Sequence, residues 1–94
     1  MKIDIEFLGF PMFSDMVGDK KLELDIAGQT VKDLIHELIK RYGREARDSF
    51  YDTQGNFDPM IQISLNGNII PSKEHDTPLN EGDSLIFMIL LAGG

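Results

Sequence analysis

Two segments near the start of the chain alternate apolar with charged residues. The apolar positions are Ile3, Ile5 and Phe7 in the first segment and Leu22, Leu24 and Ile26 in the second. Because successive side chains of a strand point to opposite faces of a sheet, this period of two predicts two half-buried strands. We expect them to form a hairpin across a long connection, Gly9 to Asp19, which carries Gly, Pro, Ser and Asp.

The spacing of apolar residues changes to three and four after Gly28. The apolar positions are then Val31, Leu34, Ile35, Leu38, Ile39 and Tyr42, which would form one stripe on a helix. Thr30 followed three residues later by Asp33 resembles a capping box in which Asp replaces the usual Glu or Gln. Gly43 stands where a helix commonly ends. We therefore predict one main helix with its apolar stripe facing the core.

The segment from Arg44 to Pro59 has no clear period, and mixed charges surround its three aromatic residues. It is long for a connection. The pattern is compatible with one irregular turn of helix and assigns the segment no role.

A second hairpin is predicted around Asn66-Gly67, the strongest short hairpin signal in the chain. Ile61, Ile63 and Leu65 alternate with polar residues before this turn, and a short return strand follows it. Pro71 would end that strand because proline cannot donate to a sheet. The polar composition of residues 72–78 then predicts a solvated loop.

The last predicted strand is an unbroken apolar run, from Leu85 to Leu91, that follows a turn at residues 80–83. It is too short to cross a bilayer, which needs about 20 apolar residues. Since almost all its positions are apolar in both registers, we expect a central strand. One of its rows can face the helix, and the other would form an apolar, partner-binding sheet face consisting of Ile86, Met88 and Leu90.

The order of these elements predicts an α+β fold. A mixed sheet of four to five strands would carry one main helix packed across one face. We expect a single domain over residues 1–94, followed within that range by a flexible Gly-Gly tail.

Charge and composition exclude several classes of partner. Nine basic residues against sixteen acidic ones give a net charge of -7, so we expect no nucleic acid and no membrane as a partner and a preference for basic protein surfaces. The chain has no cysteine, which excludes disulfides and thiolate sites. The first residues lack the features of a signal peptide, so a soluble cytoplasmic protein is expected.

Candidate catalytic groups are few. The only histidines, His36 and His75, fall on the polar helix face and in the polar loop, where we expect ordinary surface residues. No spacing typical of a metal, phosphate or nucleophile site is present. The sequence therefore predicts no catalytic residue, cofactor site or metal site of its own.

The end of the chain, Ala92-Gly93-Gly94, is the one feature without a structural explanation. Glycine has no Cβ, so such a tail can lie extended in a channel too narrow for side chains. One interpretation is that the carboxylate of Gly94 is the reactive group, delivered into a partner's active site. The alternative is a frayed terminus without function.

The chain from Lys2 to Gly94 resembles the MoaD/ThiS-type β-grasp sulfur carriers, which are relatives of ubiquitin, and is closest to the small subunit of molybdopterin synthase. The order and spacing of several short motifs carry this resemblance. They are Lys2-Ile3-Asp4-Ile5; Gly28, Thr30, Val31, Asp33, Leu34 and Ile35; Tyr42-Gly43; Leu65-Asn66-Gly67-Asn68; Thr77, Pro78, Leu79, Gly82 and Asp83; and Ala92-Gly93-Gly94.

The resemblance implies a non-catalytic carrier subunit. An activating enzyme of the MoeB/ThiF type would use ATP to adenylate Gly94, which is then converted to a thiocarboxylate. Leu91, Ala92 and Gly93 would be the tail that partners recognise. In the molybdopterin branch, a large subunit of the MoaE type would receive the tail and use the sulfur for molybdenum or tungsten cofactor synthesis.

One departure from the family pattern leaves the pathway open. Ile89-Leu90-Leu91 precedes Ala-Gly-Gly where many molybdopterin synthase small subunits have Pro-Pro-Val. A thiamin-type sulfur carrier and a ubiquitin-like modifier that forms isopeptide bonds through Gly94 are therefore alternatives. A third is a pure interaction module that uses its sheet face and carries a vestigial tail.

Overall fold

The structure, a computed structural model, describes residues 1–9, 21–71 and 75–89. Five strands and two helices are formed by these residues. They follow in the order β1 (Lys2–Leu8), β2 (Lys21–Asp25), α1 (Val31–Tyr42), α2 (Arg44–Phe50), β3 (Ile61–Leu65), β4 (Asn68–Ile70) and β5 (Ser84–Ile89).

The strands form one mixed sheet in the order β2-β1-β5-β3-β4. β5 lies between β1, to which it is parallel, and β3, to which it is antiparallel. The β1–β2 and β3–β4 pairs are antiparallel hairpins. The central position of the last strand and the mixed α+β sheet confirm the sequence prediction, and the topology is that of a β-grasp.

The core forms where the apolar stripe of α1 meets one face of the sheet. Ile39 and Tyr42 of the stripe and Ile89 of β5 are partly buried. The other inward residues of β1, β5 and α1 are at most 2% exposed: Ile3, Ile5, Phe7, Leu85, Phe87, Val31, Leu34, Ile35 and Leu38. The apolar residues at every second strand position and those at helical spacing thus form the two packed surfaces of one core.

A capping box begins α1, as predicted. The Thr30 hydroxyl oxygen accepts a hydrogen bond from the Asp33 backbone N–H (3.3 Å), and Asp33 Oδ2 accepts from the N–H groups of Gln29 (2.9 Å) and Thr30 (3.1 Å). The backbone N–H groups of residues 31 and 32, the first two of the helix, donate to the carbonyl oxygens of residues 77 and 75. Few donors of the first turn are therefore left without a partner.

The capping carboxylate should make stability depend on pH. Hydrogen bonds from the backbone of Gln29, and then those of Thr30, lower the pKa of Asp33 below its ordinary value of 3.8. A carboxyl group with a lowered folded-state pKa stabilises the fold above its unfolded pKa, and this contribution is lost as pH falls toward the folded value. We expect Tm to fall on acidification below about pH 4, and Asp33→Asn to flatten this part of the curve. Superimposable Tm profiles of the two proteins would contradict the assignment.

Gly28 is required for the close approach of the turn to this cap. A Cβ atom at Gly28 would lie 2.3 Å from the Cβ and 2.6 Å from Oδ2 of Asp33. We expect Gly28→Ala to lower the free energy of unfolding by about 1–3 kcal/mol, because either the turn or the cap must shift. Urea unfolding measures this loss, and Gln29→Ala, at an exposed neighbouring position, is the control with little expected effect. Equal stability of wild type and Gly28→Ala would show that the turn adjusts freely.

The segment after α1 departs most from the sequence prediction. Instead of one irregular turn, residues 44–50 form the second helix, α2, which begins directly after Gly43. Phe50 is fully buried, meets Phe87 edge to face at 5.2 Å between ring centroids, and stacks on Phe57 at 6.2 Å. The segment to which the sequence assigned no role therefore completes one end of the core.

The expectation of a solvated His75 was wrong. Its ring is half-buried and lies edge-on against Phe57, 4.4 Å between ring centroids. Phe57, in the segment after α2, therefore covers part of this ring. His36, in contrast, is exposed on α1 as expected. The predicted connection beyond Gly9, and residues 72–74 of the predicted loop, lie outside the described residues.

Candidate functional site

The predicted reactive end of the chain follows β5 directly. The described part of β5 ends at Ile89, which pairs with Ile61 on β3. Gly94, the preceding tail residues Leu91, Ala92 and Gly93, and Leu90 of the sheet face lie outside the described residues. Their roles in adenylation and recognition stay predictions, and the structure describes the strand that leads to them.

The start of β5 is fixed by a network of side chains in two turns. Asn66 Oδ1 accepts from the Ser84 backbone N–H (2.8 Å), and Asn66 Nδ2 donates to Asp83 Oδ1 (3.0 Å). The Glu81 carboxylate accepts from the Lys2 backbone N–H at 3.0 Å. These acidic residues shape the turn, as the sequence predicted, and they hold β5 between β1 and the β3–β4 hairpin.

The other end of β5 lies against Gly9. This glycine has φ +82°, and a Cβ atom there would lie 3.1 Å from the carbonyl oxygen of Ile89. Glycine tolerates both the positive φ and the close approach. Gly9 can therefore lie against Ile89, the last described residue before the tail.

The outward row of β5 is less buried than its inward row. Ile86 and Met88 are half-buried, whereas Leu85 and Phe87 are 1% and 0% exposed. This alternation agrees with the register expected from the sequence. Both helices contribute their buried residues to the same core as Leu85 and Phe87, so Ile86 and Met88 lie on the face of the sheet that the helices do not cover.

One half of this outer sheet face, on β5, β3, β4 and the end of β1, carries no charge and holds the apolar side chains of the face. Met88 has Leu8 of β1 on one side and Gln62 of β3 on the other, and Ile86 has Ser64 of β3 beside it. Ser64 in turn pairs with Ile69 of the edge strand β4, which is 66% exposed. We call Leu8, Ile69, Ile86 and Met88 the apolar half of the outer sheet face.

The other half is acidic. It consists of alternate positions on β1 and β2, where exposed or half-buried carboxylates outnumber the lysines: Asp4, Glu6, Glu23 and Asp25 with Lys2 and Lys21. A shallow depression of about 430 Å³ lies between the two halves, lined in part by Glu6, Glu23 and Ile86. A partner complementary to the whole face would present an apolar surface with a basic flank.

The described residues offer little chemistry of their own. Among them, no three His, Asp or Glu side chains are grouped to hold a metal ion. His36 and His75 belong to different segments, one exposed on α1 and the other packed on Phe57. Within the same residues, no helix has the length and apolar character needed to cross a bilayer.

Comparison with solved structures identifies several with the same fold. SAMP1 from Haloferax volcanii superimposes with a TM-score of 0.78 at 17% identity, over 100% of both chains. A candidate molybdopterin converting factor, subunit 1, from Pyrococcus furiosus has a TM-score of 0.64 at 22% identity, over 97% of this chain and 99% of that one. A chain of the BexX/CysO complex from Amycolatopsis orientalis has a TM-score of 0.70 at 16% identity, over 98% and 99%.

Sequence comparison with functionally curated proteins gave no significant match. The profile of the ThiS family, in contrast, matches residues 13–94. This match covers most of the chain, from the connection after β1 through β5 to the terminal glycines. The fold is that of the ubiquitin-like β-grasp structures, and the family match over most of the chain shows that the chain belongs to the ThiS family.

Proposed function

We propose that this chain is a sulfur carrier that acts through the carboxylate of Gly94, as the small subunit of a molybdopterin synthase. The observation that carries the proposal is that the family profile matches the chain through residue 94. This residue ends the segment that follows the central strand of the sheet. The folded body would be bound by partner enzymes, and the chemistry would take place on the tail.

The proposed reaction has two steps. A carboxylate oxygen of Gly94 attacks the α-phosphorus of ATP, and the bond to pyrophosphate breaks, which leaves an acyl adenylate. A hydrosulfide equivalent then attacks the carbonyl carbon, and AMP departs with the original carboxylate oxygen. One oxygen is thereby replaced by sulfur. ATP is bound by the partner, and the carrier contributes a carbonyl group without a neighbouring side chain to block its approach.

The partners are proposed to bind the outer sheet face. An adenylating enzyme of the MoeB/ThiF type and a large subunit of the MoaE type would contact its apolar half, where Ile86, Met88 and Ile69 reach the surface. A basic flank on either partner would meet the acidic half. The crystallised complex of CysO with BexX supports an arrangement in which a partner protein holds the folded carrier.

Mass spectrometry tests the carrier proposal. The protein is co-expressed with an adenylating enzyme of the MoeB/ThiF type and a sulfur source, and the C-terminal peptide is fragmented. We expect the mass gain of one sulfur in place of one oxygen, located on Gly94. Deletion of Gly94 is the control without modification. An unmodified Gly94, with an enzyme proven active on another carrier, would contradict the proposal.

A protein modifier is the second candidate, and the similarity to the small archaeal modifier protein SAMP1 favours it. In that case Gly94 would form isopeptide bonds to lysines of other proteins. Slowly migrating conjugates that disappear when Gly94 is deleted would favour this function. Their absence, together with a thiocarboxylate on Gly94, would favour the sulfur carrier. Both functions are expected in the cytoplasm.

A further inference from the structure

The contact between Gly9 and Ile89 leaves no room for a side chain at the point where the sheet ends and the tail begins. β1 ends at Leu8, which pairs with Met88, and Gly9 is the next residue of the chain. A Cβ atom at Gly9 would lie 3.1 Å from the carbonyl oxygen of Ile89 and 3.5 Å from its Cβ. Side-chain carbons rarely approach other atoms this closely, so one of the two residues would have to move by a few tenths of an ångström.

The direction of the Ile89 carbonyl group follows from the strand pairing of β5. The carbonyl oxygen of Asp83 accepts a hydrogen bond from the Asp4 N–H of β1 at 3.0 Å. The backbone groups of successive strand residues point to alternate sides, and the pairing of β5 with its neighbours is continuous over residues 84–89. Ile89 is an even number of residues after Asp83, so its carbonyl group also points toward β1 and not toward β3.

The packing of β1 prevents Gly9 from moving away from this contact. The two residues before it, Phe7 and Leu8, lie beside Phe87 and Met88 in the parallel pair of strands. The rings of Phe7 and Phe87 are stacked with 5.9 Å between their centroids, and these residues are 1% and 0% exposed. A shift of β1 away from β5 would separate these rings and leave a gap in a close-packed core.

The start of β3 prevents Ile89 from moving in the other direction. Its partner Ile61 is 2% exposed, and the Ile61 N–H donates to the carbonyl oxygen of Asp58 at 3.1 Å. The Asp58 N–H in turn donates to the carbonyl oxygen of Phe50 at 2.8 Å, and Phe50 is fully buried at the end of α2. A methyl group at residue 9 would therefore be accommodated mainly by rotation of the Ile89 peptide group.

Such a rotation would be transmitted to the tail. The peptide bond is planar, so the carbonyl oxygen of Ile89 and the nitrogen of the following residue turn together. When an adenylating enzyme holds the outer sheet face, the direction of this peptide group affects where the Gly94 carboxylate arrives. Misplacement of a reacting group by about 1 Å can slow a reaction by about a hundredfold.

We propose that Gly9 is a positioning residue for the tail. Because Gly9 has no side chain, the Ile89 peptide group keeps the orientation that directs the Gly94 carboxylate into the active site of a partner. This inference rests on the proposed adenylation of Gly94. Gly9 itself has no contact with ATP or with the reacting atoms in this proposal, and it acts through Ile89.

Pyrophosphate exchange into ATP, which reports adenylation, tests the proposal with full-length Gly9→Ala. With an adenylating enzyme of the MoeB/ThiF type, we expect the maximal rate to fall about tenfold or more. The carrier concentration that gives half of the maximal rate should change by about twofold at most, because the outer sheet face is unaltered.

Gly55→Ala is the matched control. Gly55 has φ +83°, close to the +82° of Gly9, but a Cβ atom there would meet nothing within 4 Å. An L-residue is disfavoured at both positive φ angles, so urea unfolding should show a comparable loss of stability in the two variants. Gly55→Ala should nevertheless keep both kinetic parameters within about twofold of wild type. An unchanged maximal rate of Gly9→Ala, or an equal fall in Gly55→Ala, would overturn the proposal.

A measurement on the wild type tests the proposal even if Gly9→Ala does not fold. The amide N–H that shares a peptide plane with the Ile89 carbonyl group should have an NMR order parameter of about 0.85, the value of rigid backbone. A value below about 0.6 would overturn the proposal, since a freely rotating peptide group cannot direct the tail. Absence of exchange with the wild-type chain would contradict the proposed function, whereas wild-type exchange that Gly9→Ala leaves unaltered would contradict only the role of Gly9.

Discussion

Met88→Glu is expected to weaken binding of an adenylating enzyme of the MoeB/ThiF type by roughly 30-fold or more, the equivalent of about 2 kcal/mol. Met88 lies in the apolar half of the outer sheet face between Leu8 and Gln62. In the free protein a glutamate there keeps much of its hydration, because the position is half-buried. In the complex it would be an unpaired charge at the centre of an interface.

Ser84→Glu is the matched control for this variant. It adds the same charge to the same strand and face, at an exposed position beside Asp4 rather than Leu8. Calorimetric titration gives the two affinities, and urea unfolding shows whether the fold is kept. Equal affinities of Met88→Glu and wild type would contradict the docking surface. Unfolding of Met88→Glu alone would contradict the assignment of this residue to the outer face.

Phe50→Ala is expected to lower the free energy of unfolding by about 3–5 kcal/mol, a large share of the stability of a small domain. Phe50 is fully buried between Phe87 of the central strand and Phe57 of the following turn. The truncation removes the ring contacts and leaves a cavity that surrounding strands cannot fill. Denaturant unfolding measures the loss.

Two further variants separate packing from other effects. Phe50→Leu keeps most of the apolar volume and should cost clearly less than Phe50→Ala. Met60→Ala removes a side chain that is 42% exposed and should cost little. If Phe50→Ala were no less stable than Met60→Ala, the assignment of Phe50 and α2 to the core would be wrong.

The sequence was sufficient to predict the elements in which buried residues recur at regular intervals. The alternation in β1 extends over several residue pairs, and the apolar stripe on α1 extends over several helical turns. The buried face of each element could therefore be predicted from the sequence. The capping box at Thr30 and the turn at Asn66-Gly67 depend on local hydrogen bonds and torsions, which short motifs specify. Both are present in the structure.

The segment after α1 could not be predicted in the same way. In α2 only Ala46 and Phe50 are buried, and two apolar positions four residues apart do not define a helical stripe. The position of His75 depends on Phe57, which is distant in the chain, and no local pattern records that contact. Tertiary packing, rather than propensity, decides both.

The division of the outer sheet face into an apolar half and an acidic half could not be predicted from the sequence either. Ile69, Ile86 and Leu8 come from three different strands, and only the strand order places them on the same half of one sheet face.

The most direct test of the central claim is pyrophosphate exchange into ATP, catalysed by an adenylating enzyme of the MoeB/ThiF type in the presence of this chain. The claim is that the carboxylate of Gly94 is the group that partners activate. We predict exchange that depends on the full-length chain and is lost when Gly93 and Gly94 are deleted, although the deletion variant still binds the enzyme. Equal exchange with the full-length chain and the deletion variant would contradict the claim.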